Sequence, residues 1–171
     1  MITTYPDYES LKNSKALTGN TTAITEMNID KYFVALSQDP TLEQSSAWKS
    51  GDEKVLFDYC MSKGIRVLRD YQLAGIKAVQ KSIEAGNTRF LLEMATGTGK
   101  TLTSAGIVKM FIRSDLAHRV LFLVDRIELE NQAKKDLTRY LAKDGIRVEV
   151  YKENKQDWNS ADVVISTIQS F

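Results

Sequence analysis

The pattern of apolar and polar positions divides the chain near residue 66. Residues 1–27 are polar, rich in Thr, Ser and Asn, and weakly periodic, which predicts a linker or irregular lead-in. In NIDKYFVALSQ, Asn28 is placed to cap a short helix through Phe33, Val34 and Leu36, and Pro40 stops it. Trp48 falls in a polar loop. Asp52 then caps DEKVLFDYCMSKG, with Val55, Leu56 and Tyr59 on one face and Gly64 at its end. From residue 66 the rhythm changes. Asp70-Tyr71-Gln72 opens a helix in which Gln72, Ile76, Val79 and Ile83 recur at helical spacing, ending at Gly86. RFLLEM (89–94) is a short apolar run that reads as a strand. A glycine-rich loop and a helix from about Gly99 to Ile112 follow. VLFLV (120–124) is a second, continuous apolar run. Leu129, Ala133, Leu137 and Leu141 mark an amphipathic helix. IRVEVY (146–151) alternates as a half-covered strand does, and ADVVIS (161–166) is a fourth strand candidate. Strands alternating with helices predict an α/β fold. Two strands apolar throughout predict a parallel sheet covered on both faces, with helix-length connections suited to right-handed crossovers.

Composition narrows the class. A chain of 171 residues is long enough for one domain with a real core. Cys60 is the single cysteine, so no internal disulfide forms, and a reducing, cytoplasmic setting is expected. The first 19 residues lack the apolar run of a signal peptide, and no stretch has the length of a membrane span. Net charge is +1, which gives no whole-domain footprint for nucleic acid. DNA binding therefore has to rest on particular residues.

The stretch 94-MATGTGKT-101 carries the chemistry. It follows an apolar strand candidate, precedes a helix, and ends in Gly99-Lys100-Thr101, the context of a phosphate-binding loop. N–H groups at a helix N-terminus are unpaired and partly positive, so they suit a phosphate chain. Thr96, Gly97, Thr98 and Gly99 would form the cradle, the glycines letting the backbone wrap closely. Lys100 would reach the terminal phosphates, and Thr101 would offer its hydroxyl to Mg²⁺. Met94 stands where the common pattern has its first glycine.

Four segments in order, LRDYQLAGIKAVQ, LLEMATGTGKT, VLFLVDRIELENQA and VISTIQSF, resemble superfamily 2 helicases and translocases, most closely the motor (R) subunit of type I restriction enzymes. The resemblance covers roughly residues 20–171, and Met at the first loop position is usual in that family. It implies a P-loop NTPase of RecA-like fold with an incomplete parallel sheet and flanking helices. Residues 1–65 would be a helical connector joining a nuclease domain, and residues 66–171 the N-terminal part of the first RecA-like domain. It implies ATP with Mg²⁺, double-stranded DNA as a partner, and assembly with methylation and specificity subunits. Gln72 looks like the glutamine that reads adenine, donating to N7 and accepting from N6, with Arg69 and Tyr71 near the base. Arg126 and Gln132, after the second strand, and Ser166 and Thr167, at the end of another, are similar to the motifs that touch the nucleic-acid backbone.

Other readings compete. Asp125 could be a magnesium-binding aspartate, but Arg126 follows it where superfamily 2 has Glu. Glu153 and Lys155 are a weak nuclease candidate in a polar loop. His118 reads as a turn residue, Cys60 as a small core residue, and Trp48 and Trp158 as packing residues. No apolar strand ending in Asp-Glu follows the fourth strand candidate. That gap leaves open a module that binds ATP without turning it over, expected to be of marginal stability with an open strand edge. A superfamily 2 motor acting on other nucleic acid is the third reading.

Overall fold

The structure is a computed structural model that describes residues 21–151 and 160–168. The lead-in is not wholly irregular: Thr21–Thr25 forms helix α1, with Ile24 fully buried. Gln80 explains it, since its amide donates to the carbonyls of Ile24 at 2.6 Å and Met27 at 2.9 Å. A five-residue helix is too short to show a period in sequence. Asn28 caps nothing. Asp30 instead accepts from the Tyr32 backbone N–H at 2.8 Å, and the chain turns before helix α2, Ala35–Gln38, begins. That helix ends ahead of Pro40, as expected. A single 3-10 turn, Leu42–Gln44, and helix α3, Ser46–Lys49, follow.

Helix α4, Glu53–Ser62, starts where Asp52 was expected to start it: the carboxylate accepts from Lys54 N–H at 2.8 Å and Val55 N–H at 3.2 Å. Gly64 follows its end with φ of 68°. The buried face differs from expectation. Leu56 and Cys60 are buried, whereas Val55 is exposed. The stripe is rotated because α4 packs against the connector's own small cluster of Tyr32, Ala35, Leu42, Ala47 and Ile65. Trp48 stacks edge-on against Tyr32 with centroids 5.7 Å apart, a packing role. Burial pushes the Cys60 thiol pKa up, which suits an inert core residue.

Helix α5, Asp70–Glu84, buries Gln72, Ile76, Val79 and Ile83, the four positions its spacing marked. Helix α6, Lys100–Arg113, packs against it. Strand β1 spans Val120–Val124, helix α7 Ile127–Leu141, β2 Val148–Val150 and β3 Val163–Thr167. The sheet is parallel, in the order β1-β3-β2. Val163 pairs with Val120 on one side and Val148 on the other, and β3 is buried throughout. This is a small three-stranded parallel sheet with flanking helices, compatible with an incomplete RecA-like α/β fold. The main core mixes both halves of the chain: Ile24, Ile29, Phe33 and Val34 pack with Ile76, Val108, Leu137 and Ile165.

Three further expectations are corrected. Residues 89–94 form no strand, because no described residue hydrogen-bonds to them as a ladder partner. They keep the alternation: Phe90 and Leu92 pack on the core while Leu91 is 94% exposed. β1 is not covered on both faces, since Leu121 and Leu123 are about half exposed. In α7 the buried stripe runs Glu130, Ala133, Leu137, Leu141, and Leu129 lies outside it.

Candidate functional site

Gly97 and Gly99 shape the loop ahead of α6. Both have left-handed backbone, with φ of 77° and 82°, which L side chains adopt only with strain. Gly99 has a second reason: a Cβ there would lie 2.4 Å from the Gln72 amide nitrogen. As the N-cap of α6 it has no side chain to satisfy the first-turn N–H groups, so that helix end is open to an acceptor from outside. Met94 needs no glycine. Among described residues the only non-glycine with positive φ is Asp115.

The loop is tied internally. Lys100 Nζ donates to the carbonyls of Met94 at 3.0 Å and Ala95 at 3.1 Å. Thr98 Oγ1 donates to Ala95 O at 2.6 Å. Gln72, although only 3% exposed, has a fully engaged amide. Its oxygen accepts from Arg69 N–H at 2.8 Å, and its nitrogen donates to Thr98 O at 2.8 Å and Gly99 O at 3.3 Å. The Tyr71 hydroxyl also donates to Thr98 O, at 2.8 Å, and Arg69 Nη1 donates to that hydroxyl at 3.2 Å. Arg69, Tyr71, Gln72 and the loop therefore meet at one place.

Beside them lies a cavity of about 880 Å³, within the range of small-molecule sites. Gly97, Thr98 and Gly99 line it together with Phe57 and Met61 of α4. Four basic side chains (Lys31, Lys54, Arg66, Arg69) and two acidic ones (Glu53, Asp70) line it, a balance that favours an anion. The contribution of α4 was not anticipated. Its signal was available in the spacing of Lys54, Phe57 and Met61, one helical face beside that of Leu56 and Cys60.

The four residues singled out for DNA contact are not equally placed. Arg126 is the N-cap of α7, its side chain 76% exposed and 4.0 Å from Asp125. Gln132 is exposed on the same helix. Ser166 and Thr167 have no exposed surface. His118 lies exposed between α6 and β1. Glu153, Lys155 and Trp158 lie outside the described residues. Two buried charges escaped the sequence reading. Glu130 is buried with one carboxylate oxygen unpartnered. Lys109, 1% exposed, donates to Phe33 O at 2.6 Å and Ser37 Oγ at 2.5 Å, joining α6 to the connector.

A profile of the family described as type III restriction enzyme, res subunit, matches residues 65–171, well over half of the chain. The endonuclease subunit of the type I restriction enzyme EcoKI from Escherichia coli (strain K12) is 48% identical over 66 residues, 39% of this chain and 6% of that protein. The corresponding subunit of EcoAI from Escherichia coli is 44% identical over 66 residues, 39% of this chain and 8% of that protein. IRC3 of Saccharomyces cerevisiae, named as a candidate ATP-dependent helicase, is 31% identical over 109 residues, 61% of this chain and 16% of that protein. The chain thus spans only a small part of the relatives it matches. No solved structure matches it. By the reach of that profile, the chain belongs to the restriction-enzyme family described as type III restriction enzyme, res subunit, and counts type I endonuclease subunits among its relatives.

Proposed function

We propose that this chain is the ATP-binding part of an ATP-driven DNA translocase of a restriction–modification system. The observation that carries the reading is the loop: two left-handed glycines, a helix N-terminus with no side-chain cap, and Lys100 beside it. The residues present fit a triphosphate. Backbone N–H groups from Gly97 to Thr101 would hold phosphate oxygens, and Lys100 would exchange two carbonyl partners for them. Among described residues no group of three His, Cys, Asp or Glu side chains converges. A magnesium ion here would therefore rest on Thr101, nucleotide oxygens and water. When bound, ATP supplies the phosphoryl group whose transfer drives such motors.

The remaining assignments follow from the same reading. Residues 1–65 serve as connector and 66–171 as the beginning of the first RecA-like domain. Arg126 and Gln132 are open to a DNA phosphate in this conformation; Ser166 and Thr167 would have to gain surface first. Adenine reading by Gln72 requires its amide to leave Thr98 and Gly99. Double-stranded DNA and the methylation and specificity subunits are the partners of the whole assembly. No helix among described residues is long and apolar enough to cross a membrane.

Titration calorimetry with Mg-ATP tests the core of the proposal. Lys100→Ala is expected to lower affinity at least about 100-fold, since a charge-assisted contact to phosphate is at stake, with an unchanged circular dichroism spectrum. Equal affinity in the variant and the parent chain removes the phosphate-loop assignment.

A further inference from the structure

Helix α4 shows two faces of different character. Leu56 and Cys60 close the connector's own cluster. Phe57 and Met61, one turn apart on the other face, remain 44% and 41% exposed. They line the 880 Å³ cavity that Gly97, Thr98 and Gly99 also line. A helix facing plain solvent carries polar residues there. Apolar side chains lining the same cavity as a polar backbone loop suit a small-molecule site, with apolar walls and a few convergent polar groups.

The occupant is constrained by what lies next to it. The loop read above as the phosphate site is part of the cavity's lining. Beside the loop, Gln72 has both functions of its amide engaged by Arg69, Thr98 and Gly99. The group that continues from a phosphate chain into a space walled by an aromatic ring and a thioether is flat and aromatic. Lys31 is neutralised by its ion pair with Glu53, which leaves Lys54, Arg66 and Arg69 against Asp70 around the walls.

We infer that α4 of the connector forms the base wall of the nucleotide site, with Phe57 and Met61 in contact with the face of the nucleobase. The inference rests on the phosphate-loop reading. The contact is to a π-face, which every base possesses, so it adds affinity without choosing among bases. It also makes the connector part of the site: the connector is tied to the motor half by the Arg139 side chain on Gly64 O, just past α4, and by paired bonds of 2.9 Å between the Gln38 amide of α2 and the backbone of Arg66.

Calorimetry on the 171-residue chain with Mg-ATP, Mg-GTP and magnesium tripolyphosphate separates the two layers. Phe57→Ala is expected to weaken ATP and GTP alike, by about tenfold, and to leave tripolyphosphate within about twofold. Met61→Ser, at an equally exposed position, is expected to act in the same direction by about threefold, and Phe57→Trp to restore nucleotide affinity. If Phe57→Ala leaves ATP unchanged while Lys100→Ala abolishes both ligands, the base lies elsewhere and the inference falls alone. Equal loss of ATP and tripolyphosphate in Phe57→Ala also overturns it, because the phosphate loop has then been disturbed. Insensitivity of tripolyphosphate to Lys100→Ala overturns the phosphate-loop reading beneath it.

Discussion

Replacing Lys109 with Met gives a pH signature whose sign follows from the burial of its ammonium. The ammonium is buried between α6 and the connector, 3.6 Å from the Asp144 carboxylate and 4.5 Å from the Phe33 ring centroid. Burial drives its pKa down to about 8 from the ordinary 10.5; Asp144 opposes the shift and Arg113 adds to it. Above pH 8 the folded chain has begun to release this proton, while the unfolded chain still holds it up to pH 10.5. Stability from this group therefore rises with pH through that window. The gap from 10.5 to about 8, at about 1.4 kcal/mol per pH unit, is about 3 kcal/mol in all. Roughly 2 kcal/mol of it falls between about pH 7 and about pH 9.5. Lys109→Met removes the titration at a cost that does not vary across this pH window: Asp144 Oδ1 keeps its 2.8 Å bond from Arg113 Nη2, while the buried Oδ2 loses its ion-pair partner 3.6 Å away. Urea unfolding of both proteins across that range is the assay. The stability difference should move toward the parent chain by about 2 kcal/mol as pH rises, the tyrosines cancelling between the two proteins. A difference that stays flat, or moves toward the variant, refutes the assignment of a charged, strained Lys109.

Two further substitutions test the packing. Gly106→Ala places a Cβ 2.5 Å from Ile76 Cδ1, a fully buried atom in the α5–α6 contact, and should cost about 1–3 kcal/mol in denaturant unfolding; no loss would mean that the two helices slide apart freely. Asp52→Ala removes the acceptor of the Lys54 and Val55 N–H groups and should cost about 1 kcal/mol, with amide exchange fastest in the first turn of α4. Uniform protection along α4 in that variant would show the cap to be dispensable.

What could be read from the sequence depended on how local the cause was. Asp52, Pro40, Gly64 and the loop at Gly97 and Gly99 act through their own backbone, and each stands where expected. The stripe of α5 was legible because four buried positions keep one phase over the whole helix. Residues 89–94 failed for a different reason. Their alternation is real, but a strand needs a ladder partner, and pairing is not a property of the segment itself. Val55 and Leu129 were assigned to the wrong faces because a small rotation about the helix axis exchanges neighbours at the edge of an apolar stripe. Lys109 sits in the apolar run GIVKMFI, which hinted at burial, but the acceptors that make it tolerable, Phe33 O and Ser37, lie more than 70 residues away in sequence. The Met94 question resolves locally: only its carbonyl is used, by Lys100, so the side chain is free of the loop's demands.

The order of strands carries a consequence for when the protein takes shape. β3 comes last of the three strands along the chain and lies between the other two in space. During synthesis from the N-terminus, β1 and β2 emerge with neither hydrogen-bonded to the other, and both wait for residues 163–167. The contacts among α1, α5 and α6 need only the chain up to Arg113 and can be made before the sheet. Until the last strand arrives, both waiting strands present unpaired ladders to any neighbouring chain. The moment of greatest exposure to misassembly thus comes just before residues 163–167 emerge, set by one five-residue strand.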